Sequence, residues 1–146
     1  MSLLKKLQLN KDTRMVIWKL DESVKELQKK LPEKRIPHIK NEKRKKEYLA
    51  TRIALKELTD SHLYYDHFGA PKIRRNKHIS ISHSQCFICI AISKTPIGID
   101  IEKVSAKTLK LSKKFISKGK HIEITKNKAT LIWSAKECIF KLQKRK

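Results

Sequence analysis

Apolar and polar residues alternate over Thr13-Arg14-Met15-Val16-Ile17-Trp18-Lys19-Leu20, the period of a half-buried strand, and this is the first strand the pattern predicts. Ser23 and Glu26 follow at the spacing of a capping box and predict a helix that runs to about Leu31 and stops at Pro32. A longer helix is predicted over 41–58, where Tyr48, Leu49, Ile53, Ala54 and Leu58 recur at helical spacing. Its other faces carry Lys43, Arg44, Lys45 and Arg52, a pattern that a solvated helix face would also produce.

After this helix the period shortens to that of strands. Phe68-Gly69-Ala70-Pro71 predicts a turn. Ile79-Ser80-Ile81-Ser82 alternates, His83-Ser84-Gln85 predicts a corner, and 86–93 predicts a strand running back. Thr95-Pro96 breaks the chain before a further predicted strand, Ile97-Gly98-Ile99-Asp100-Ile101-Glu102. Helices are predicted over about 105–116 and 130–143. Helices mixed with consecutive hairpin-like strands give an α+β fold class, without a low-complexity linker or a clear repeat.

A chain of 146 residues suits one ordinary domain or two small lobes that share a core, and 39% apolar residues supply a modest one. No run of eighteen apolar residues occurs, which excludes a transmembrane helix of the ordinary kind. Met1-Ser2-Leu3-Leu4-Lys5-Lys6-Leu7 lacks the apolar core and cleavage site of a secretory signal, so the expectation is a soluble, cytoplasmic protein. Cys86 and Cys89 spell a CxxC, but inside a predicted strand they face opposite sides. No second ligand pair at zinc spacing accompanies them, so both are expected to be reduced core residues.

Charge changes the picture more. There are 36 Lys and Arg against 14 Asp and Glu, a net charge of +22 that favours anionic partners. Nucleic acid is one such class, and acidic proteins and phosphorylated cofactors are others. The lysines are scattered over helix surfaces rather than gathered in one tract with interleaved aromatics. Charge therefore defines a class of partner, not an activity.

Three clusters could carry chemistry. In the predicted strand 97–102 the isoleucines share one face and Asp100 and Glu102 the other, about 7 Å apart at Cα from the strand rise. Two neighbouring carboxylates suit a hard divalent cation such as Mg²⁺, which takes carboxylates, waters and phosphate oxygens; an acidic outer strand face is the plainer alternative. Gly98 would let a ligand or backbone approach closely. On the last helix Glu137 and Lys141 stand four apart, with Trp133 one turn earlier. They read either as an i,i+4 ion pair or as a third metal ligand, or base, beside a cation aimed at phosphate. At Ile81-Ser82-His83-Ser84, a hydroxyl and an imidazole at a strand end could donate to a phosphate or simply cap a turn.

Taken together, these segments resemble the 4′-phosphopantetheinyl transferases. That family is marked by a (V/I)G(I/V)D strand and, some forty residues later, a (W/F)SxKExxxK helix. Here these are Ile97-Gly98-Ile99-Asp100 and Trp133-Ser134-Ala135-Lys136-Glu137 through Lys141, with 37 residues from Asp100 to Glu137. Ile81-Ser82-His83-Ser84, Ile101-Glu102, Gly69-Ala70-Pro71 and the basic helix around Arg44 and Arg52 are similar to the larger class that activates surfactin synthetase. The 97 residues before Gly98 also favour that pseudo-twofold monomer over the compact trimeric synthases.

The resemblance covers roughly 12–141. It implies two similar lobes: 1–96, with the coenzyme A contacts, and 97–146, with the metal strand and the WSxKExxxK helix. Because the chain stops at Lys146, the second lobe is expected to be truncated. The resemblance also implies Asp100, Glu102 and Glu137 as ligands of Mg²⁺ (or Mn²⁺), and Ser82, His83, Arg44 and Lys141 as contacts to coenzyme A. Glu137 and Lys141 are the implied catalytic residues, Glu137 helping to deprotonate a serine of an acidic apo acyl or peptidyl carrier protein.

The family's usual Gly-Lys-Pro turn has Ala70 at its centre here, and Lys72 is the cation positioned to substitute. The stretch between Phe115 and Trp133 is also shorter than the family pattern. Two other readings accompany the enzyme: a basic nucleic-acid-binding domain, and an inactive homologue that binds only coenzyme A or a carrier. The three acids speak against nucleic acid, whose contact surfaces have no use for them. Asp100, read as a lone surface acid, is expected to be removable without harm to the fold.

Overall fold

Val16, Trp18, Ile79, Ile88, Ile90 and Ile92 are all buried and all belong to one face of a single antiparallel sheet. The computed structural model describes residues 3–31, 36–117 and 123–143. In chain order its elements are β1 (Leu3–Asn10), β2 (Thr13–Lys19), α1 (Val24–Lys30), α2 (Glu42–Lys56), β3 (Tyr64–Tyr65), β4 (Pro71–Lys72), β5 (His78–Ser84), β6 (Phe87–Ser93), α3 (Ala106–Phe115) and α4 (Lys126–Gln143). The main sheet has the order β1-β2-β6-β5, and β3 pairs with β4 in a separate two-residue ladder. This is the α+β class expected from the pattern.

The helices cover the sheet because their apolar stripes match its buried face. Leu27 of α1 and Leu49, Ala50, Ile53, Ala54 and Leu55 of α2 pack into the same cluster as the strand residues. Ser23 caps α1 with the reciprocal Ser23–Glu26 capping box, and Leu31 closes it; Pro32, the expected stop, lies outside the described residues. Asn41 caps α2 by accepting the Arg44 backbone N–H at 2.9 Å. Arg52 lies 3.5 Å over the ring of Tyr48, so part of the basic face of α2 stacks on an aromatic ring.

The other sheet face carries Met15, Ile17, Cys89, Ser80 and Ser82. Two segments here differ from what the sequence pattern predicts. The segment 97–102 is extended but joins no strand ladder. Its Ile99 and Ile101 N–H groups donate instead to the side-chain oxygens of Ser80 and Ser82, both at 3.1 Å. Hydroxyls replace backbone carbonyls as its partners, a substitution that alternation of residue types does not reveal. Second, His83 and Ser84 stay in β5. The turn is the two residues Gln85 and Cys86, with Ser84 paired to Phe87 and Gln85 in the left-handed region at φ 51°.

Helix α4 begins at Lys126, four residues before the expected start, where Thr125 Oγ1 accepts the Lys128 N–H at 3.3 Å. Strand β1 was not foreseen at all. Its side chains are nearly all exposed, so it has no clean apolar face to show in the pattern. The three cysteines are free, with Cys89 buried and Cys86 and Cys138 half-buried. Among the described residues no helix is long and apolar enough to cross a membrane.

Candidate active site

Gly98 brings the two chemistry-bearing segments together. A Cβ at this position would lie 2.2 Å from the carbonyl oxygen of Cys138 and 3.2 Å from Leu142 Cγ. Only a residue without a side chain lets α4 settle this closely on the 97–102 segment. The close approach foreseen at Gly98 is therefore to backbone, and it sets Lys141 of α4 beside Asp100.

The Asp100 side chain is only 5% exposed. A carboxylate so removed from water needs partners, and two side chains supply them. Ser82 Oγ donates to Asp100 Oδ1 at 2.8 Å, and Lys141 Nζ donates to the same oxygen at 2.9 Å. Lys141 Nζ also donates to the Ile99 carbonyl oxygen at 2.8 Å. Asp100 is thus not the lone surface acid expected from the sequence; it is a buried member of a charged cluster.

Asp100, Glu102 and Glu137 line one cavity of about 320 Å³, together with Ser82, His83, Trp133 and Lys141. A second cavity, of about 290 Å³, shares Ile81, Glu137 and Lys141 with it and extends to Gly69, Ala70, Pro71 and Phe140. The expected turn and the expected helix therefore border the same cleft. Trp133 is set by a tilted ring contact with Phe115, centroids 5.2 Å apart.

The donor set suits a hard cation. Asp100 Oδ2 is a buried acceptor with no hydrogen-bond partner, and the other two acids of its cavity are also carboxylates. Among the described residues, however, no three His, Cys, Asp or Glu side chains are already gathered closely enough to form a metal cluster. Lys141 supplies the positive charge next to Asp100 in this arrangement.

His83 sits at the rim. Thr51 Oγ1 donates to the Glu47 carbonyl at 2.6 Å and lies 3.0 Å from His83 Nε2. The single hydroxyl hydrogen of Thr51 is used on Glu47, so Nε2 must be the donor to Thr51. That leaves Nδ1 as the nitrogen available to a ligand. Partial burial lowers the imidazole pKa; the positive charges of Lys141 and Lys43 act in the same direction and Glu47 opposes them.

Ser82 also differs from expectation in its bonding. Its hydroxyl donates to Asp100 and accepts from Ile101 N–H, so no proton remains for a phosphate while those bonds hold. Lys72 pairs with Asp66 at 3.5 Å, and neither it nor the exposed Arg44 lines either cavity. Lys43, one residue before Arg44, is the cation of α2 whose charge reaches His83; it was not singled out by the sequence motif. Thr51 was missed too, since a threonine on an apolar helix stripe gives no signal of its own.

The cysteines near the cluster are not nucleophiles. Burial pushes the Cys89 thiol up to about 11 and raises that of Cys138 as well, so both stay protonated near neutrality.

No family model matches the chain. Curated relatives do. The 4′-phosphopantetheinyl transferase gsp of Aneurinibacillus migulanus is 36% identical over 55 residues, covering 38% of this chain and 23% of that protein. A 4′-phosphopantetheinyl transferase of Bacillus subtilis is 35% identical over 83 residues, 51% of this chain and 37% of that protein. The 4′-phosphopantetheinyl transferase Sfp of Bacillus subtilis strain 168 is 37% identical over 71 residues, 44% and 32% of the two chains. The chain thus spans between about a quarter and just over a third of these relatives' length. These likenesses bear out the resemblance drawn from the motifs, including its surfactin-synthetase-activating class.

Proposed function

We propose that this relative of the 4′-phosphopantetheinyl transferases is itself such an enzyme, moving the phosphopantetheine arm of coenzyme A to a serine of an apo carrier protein. The observation that carries the reading is the convergence of Ser82, Asp100, Glu137 and Lys141, from both halves of the motif pair, on one cavity. On this reading 1–96 supply the coenzyme A contacts and 97–146 the acids and the helix.

Each residue has a task that its position supports. Asp100, Glu102 and Glu137 would hold Mg²⁺ or Mn²⁺, whose charge lowers the cost of negative charge developing on the diphosphate oxygens. Lys141, already beside Asp100, adds a fixed cation at the same place. Glu137 takes the proton of the carrier serine, directly or through a bound water, which turns a poor nucleophile into a good one. The serine oxygen then forms a bond to the phosphorus next to the pantetheine. The bond from that phosphorus to the bridging oxygen breaks, and 3′,5′-ADP leaves with the electron pair.

Ser82 acts through Asp100, which its hydroxyl holds in place, rather than by donating to the cofactor. His83 would meet a phosphate through Nδ1 in its protonated form, since Nε2 already gives its hydrogen to Thr51, and Arg44 and Lys72 are the more distant cations of the coenzyme A surface. The net charge of +22 fits an acidic carrier, whose opposite field would speed encounter. The free thiols support a cytoplasmic setting, and the working unit is taken to be a monomer.

Titration of the protein with coenzyme A, with and without Mg²⁺, tests the site. Binding should tighten with the metal in the wild type, and that gain should vanish in Glu137→Gln. Equal binding in all four conditions would contradict the assignment of the three acids.

A further inference from the structure

A second charged cavity lies well away from the Asp100 cluster. Along the β5–β6 ladder Ser82 pairs with Cys89, whereas this cleft is at Ser93, four residues further on, or about 13 Å at strand rise. Its volume is about 300 Å³, and it is lined by Lys11, Arg14, Lys77 and Lys94, with Asp12 and Gln8. Four cations face one carboxylate, a local excess of three positive charges.

The topology delivers these cations from separate strand ends. Lys11 is at the tip of the tight β1–β2 turn, where Asn10 pairs with Thr13 and Asn10 Oδ1 accepts the Asp12 N–H at 2.9 Å. Arg14 is on β2 and donates from Nη2 to the Leu58 carbonyl at 2.8 Å, which fixes its guanidinium. Lys94 follows β6 directly and is held by Asp12 at 2.7 Å. Lys77 directly precedes β5. Because His78 and Ser93 are the last pair of the ladder, Lys77 and Lys94 flank its end and both line the cleft. Among the described residues Lys11 and Lys77 have no carboxylate partner, whereas Lys94 has Asp12.

We propose that this cleft is an anion site separate from the Asp100 cluster, taking the phosphate or diphosphate group of a small ligand. An anchored guanidinium with free N–H groups, flanked by ammonium groups, suits tetrahedral phosphoryl oxygens. The cleft is the size of such a group rather than of a folded partner. The bound anion would offset the charges of Lys11 and Lys77, which have no carboxylate partner among the described residues.

The test is titration of the whole chain with sodium diphosphate at constant ionic strength, followed by amide shifts in ¹H–¹⁵N spectra. Saturable shifts at Lys11, Asp12, Lys77 and Lys94 are expected. Lys11→Ala with Lys77→Ala should weaken them by about tenfold or more, since two charged contacts are lost. Both side chains lack internal partners, so the variant keeps its fold. Asp100→Asn should leave these shifts unchanged. Non-saturating shifts, an unaltered response in the double variant, or shifts confined to residues around Ser82 and Lys141 would overturn the proposal. A short single-stranded oligonucleotide that displaces diphosphate from this cleft at physiological salt would overturn its assignment to a small ligand.

Discussion

Lys141 Nζ lies 2.9 Å from Asp100 Oδ1, and so its ion pair is with the preceding segment rather than with Glu137, four residues back on its own helix. The pair ties α4 to the 97–102 segment and leaves the Glu137 carboxylate to face the cavity. The plain helix-surface pair that the i,i+4 spacing allows is not the one formed.

Removing Lys141 should therefore cost more stability than an exposed helix pair would. Lys141→Ala leaves a nearly buried carboxylate without its counter-charge, and a loss of about 1–3 kcal/mol is expected, because Lys141 itself is partly solvated. Denaturant unfolding measures it. Lys141→Arg should recover part of the loss, since the charge is kept and the shape is not. If the proposed chemistry holds, turnover in Lys141→Ala should fall by roughly 10²-fold or more. A double-mutant cycle with Asp100→Asn should return a clear coupling energy, and additivity would show that the pair contributes nothing.

Gly98→Ala tests the contact that assembles the site. With the Cys138 carbonyl oxygen at 2.2 Å from the added carbon, α4 must move away. Overpacking of this kind costs about 1–3 kcal/mol. The same shift should weaken the Asp100–Lys141 pair, so the variant should lose stability together with the proposed coenzyme A binding. Wild-type melting and binding would show that the close approach is not needed.

Ser80 and Ser82 look alike in sequence and should differ in effect. Ser80→Ala removes the acceptor of one backbone N–H, at about 0.5–1.5 kcal/mol. Ser82→Ala removes an acceptor for Ile101 N–H and a donor to the buried Asp100, so about 1–3 kcal/mol is expected. Unfolding of the two variants under one set of conditions gives the ranking directly.

His83 sets a pH dependence. Its folded pKa lies below the ordinary histidine value of about 6.5, chiefly through desolvation. Between those two values the unfolded chain binds the more protons, so stability rises with pH there. The contribution of neutral His83 is complete above about 6.5 and is lost as pH falls through that value towards the folded one. His83→Gln should show a flatter stability profile between about pH 7 and 5 than the wild type. Parallel profiles would mean that the imidazole is not desolvated.

Much of this architecture was legible because its signals are local. The Ser23–Glu26 box, the apolar stripe of α2 and the alternation in β2 and β5 each follow from a fixed spacing, and β6 from a short apolar run buried on both faces. The motif pair likewise marked Asp100, Glu137 and Lys141, and the adjoining Ile101-Glu102 match marked Glu102; one cavity brings all four together. What escaped depends on partners distant in sequence. The 97–102 segment looks like a strand because its residues alternate, but its N–H groups find serine hydroxyls, not a neighbouring strand's carbonyls. Strand β1 lacks a buried face, and Thr51 matters only because β5 delivers His83 to it. Whether Lys141 would choose Glu137 or Asp100 depended on how closely α4 approaches Gly98, a tertiary distance with no local signature.

Incubation of the chain with coenzyme A, Mg²⁺ and an apo carrier protein, followed by the intact mass of the carrier, tests the proposed activity most directly. A single mass gain equal to one phosphopantetheine is expected, with 3′,5′-ADP released in equal amount and both lost in Asp100→Asn, in Glu137→Gln and with excess chelator. A carrier that stays unmodified by the folded wild-type chain would contradict this expectation, as would transfer that continues undiminished without the divalent cation.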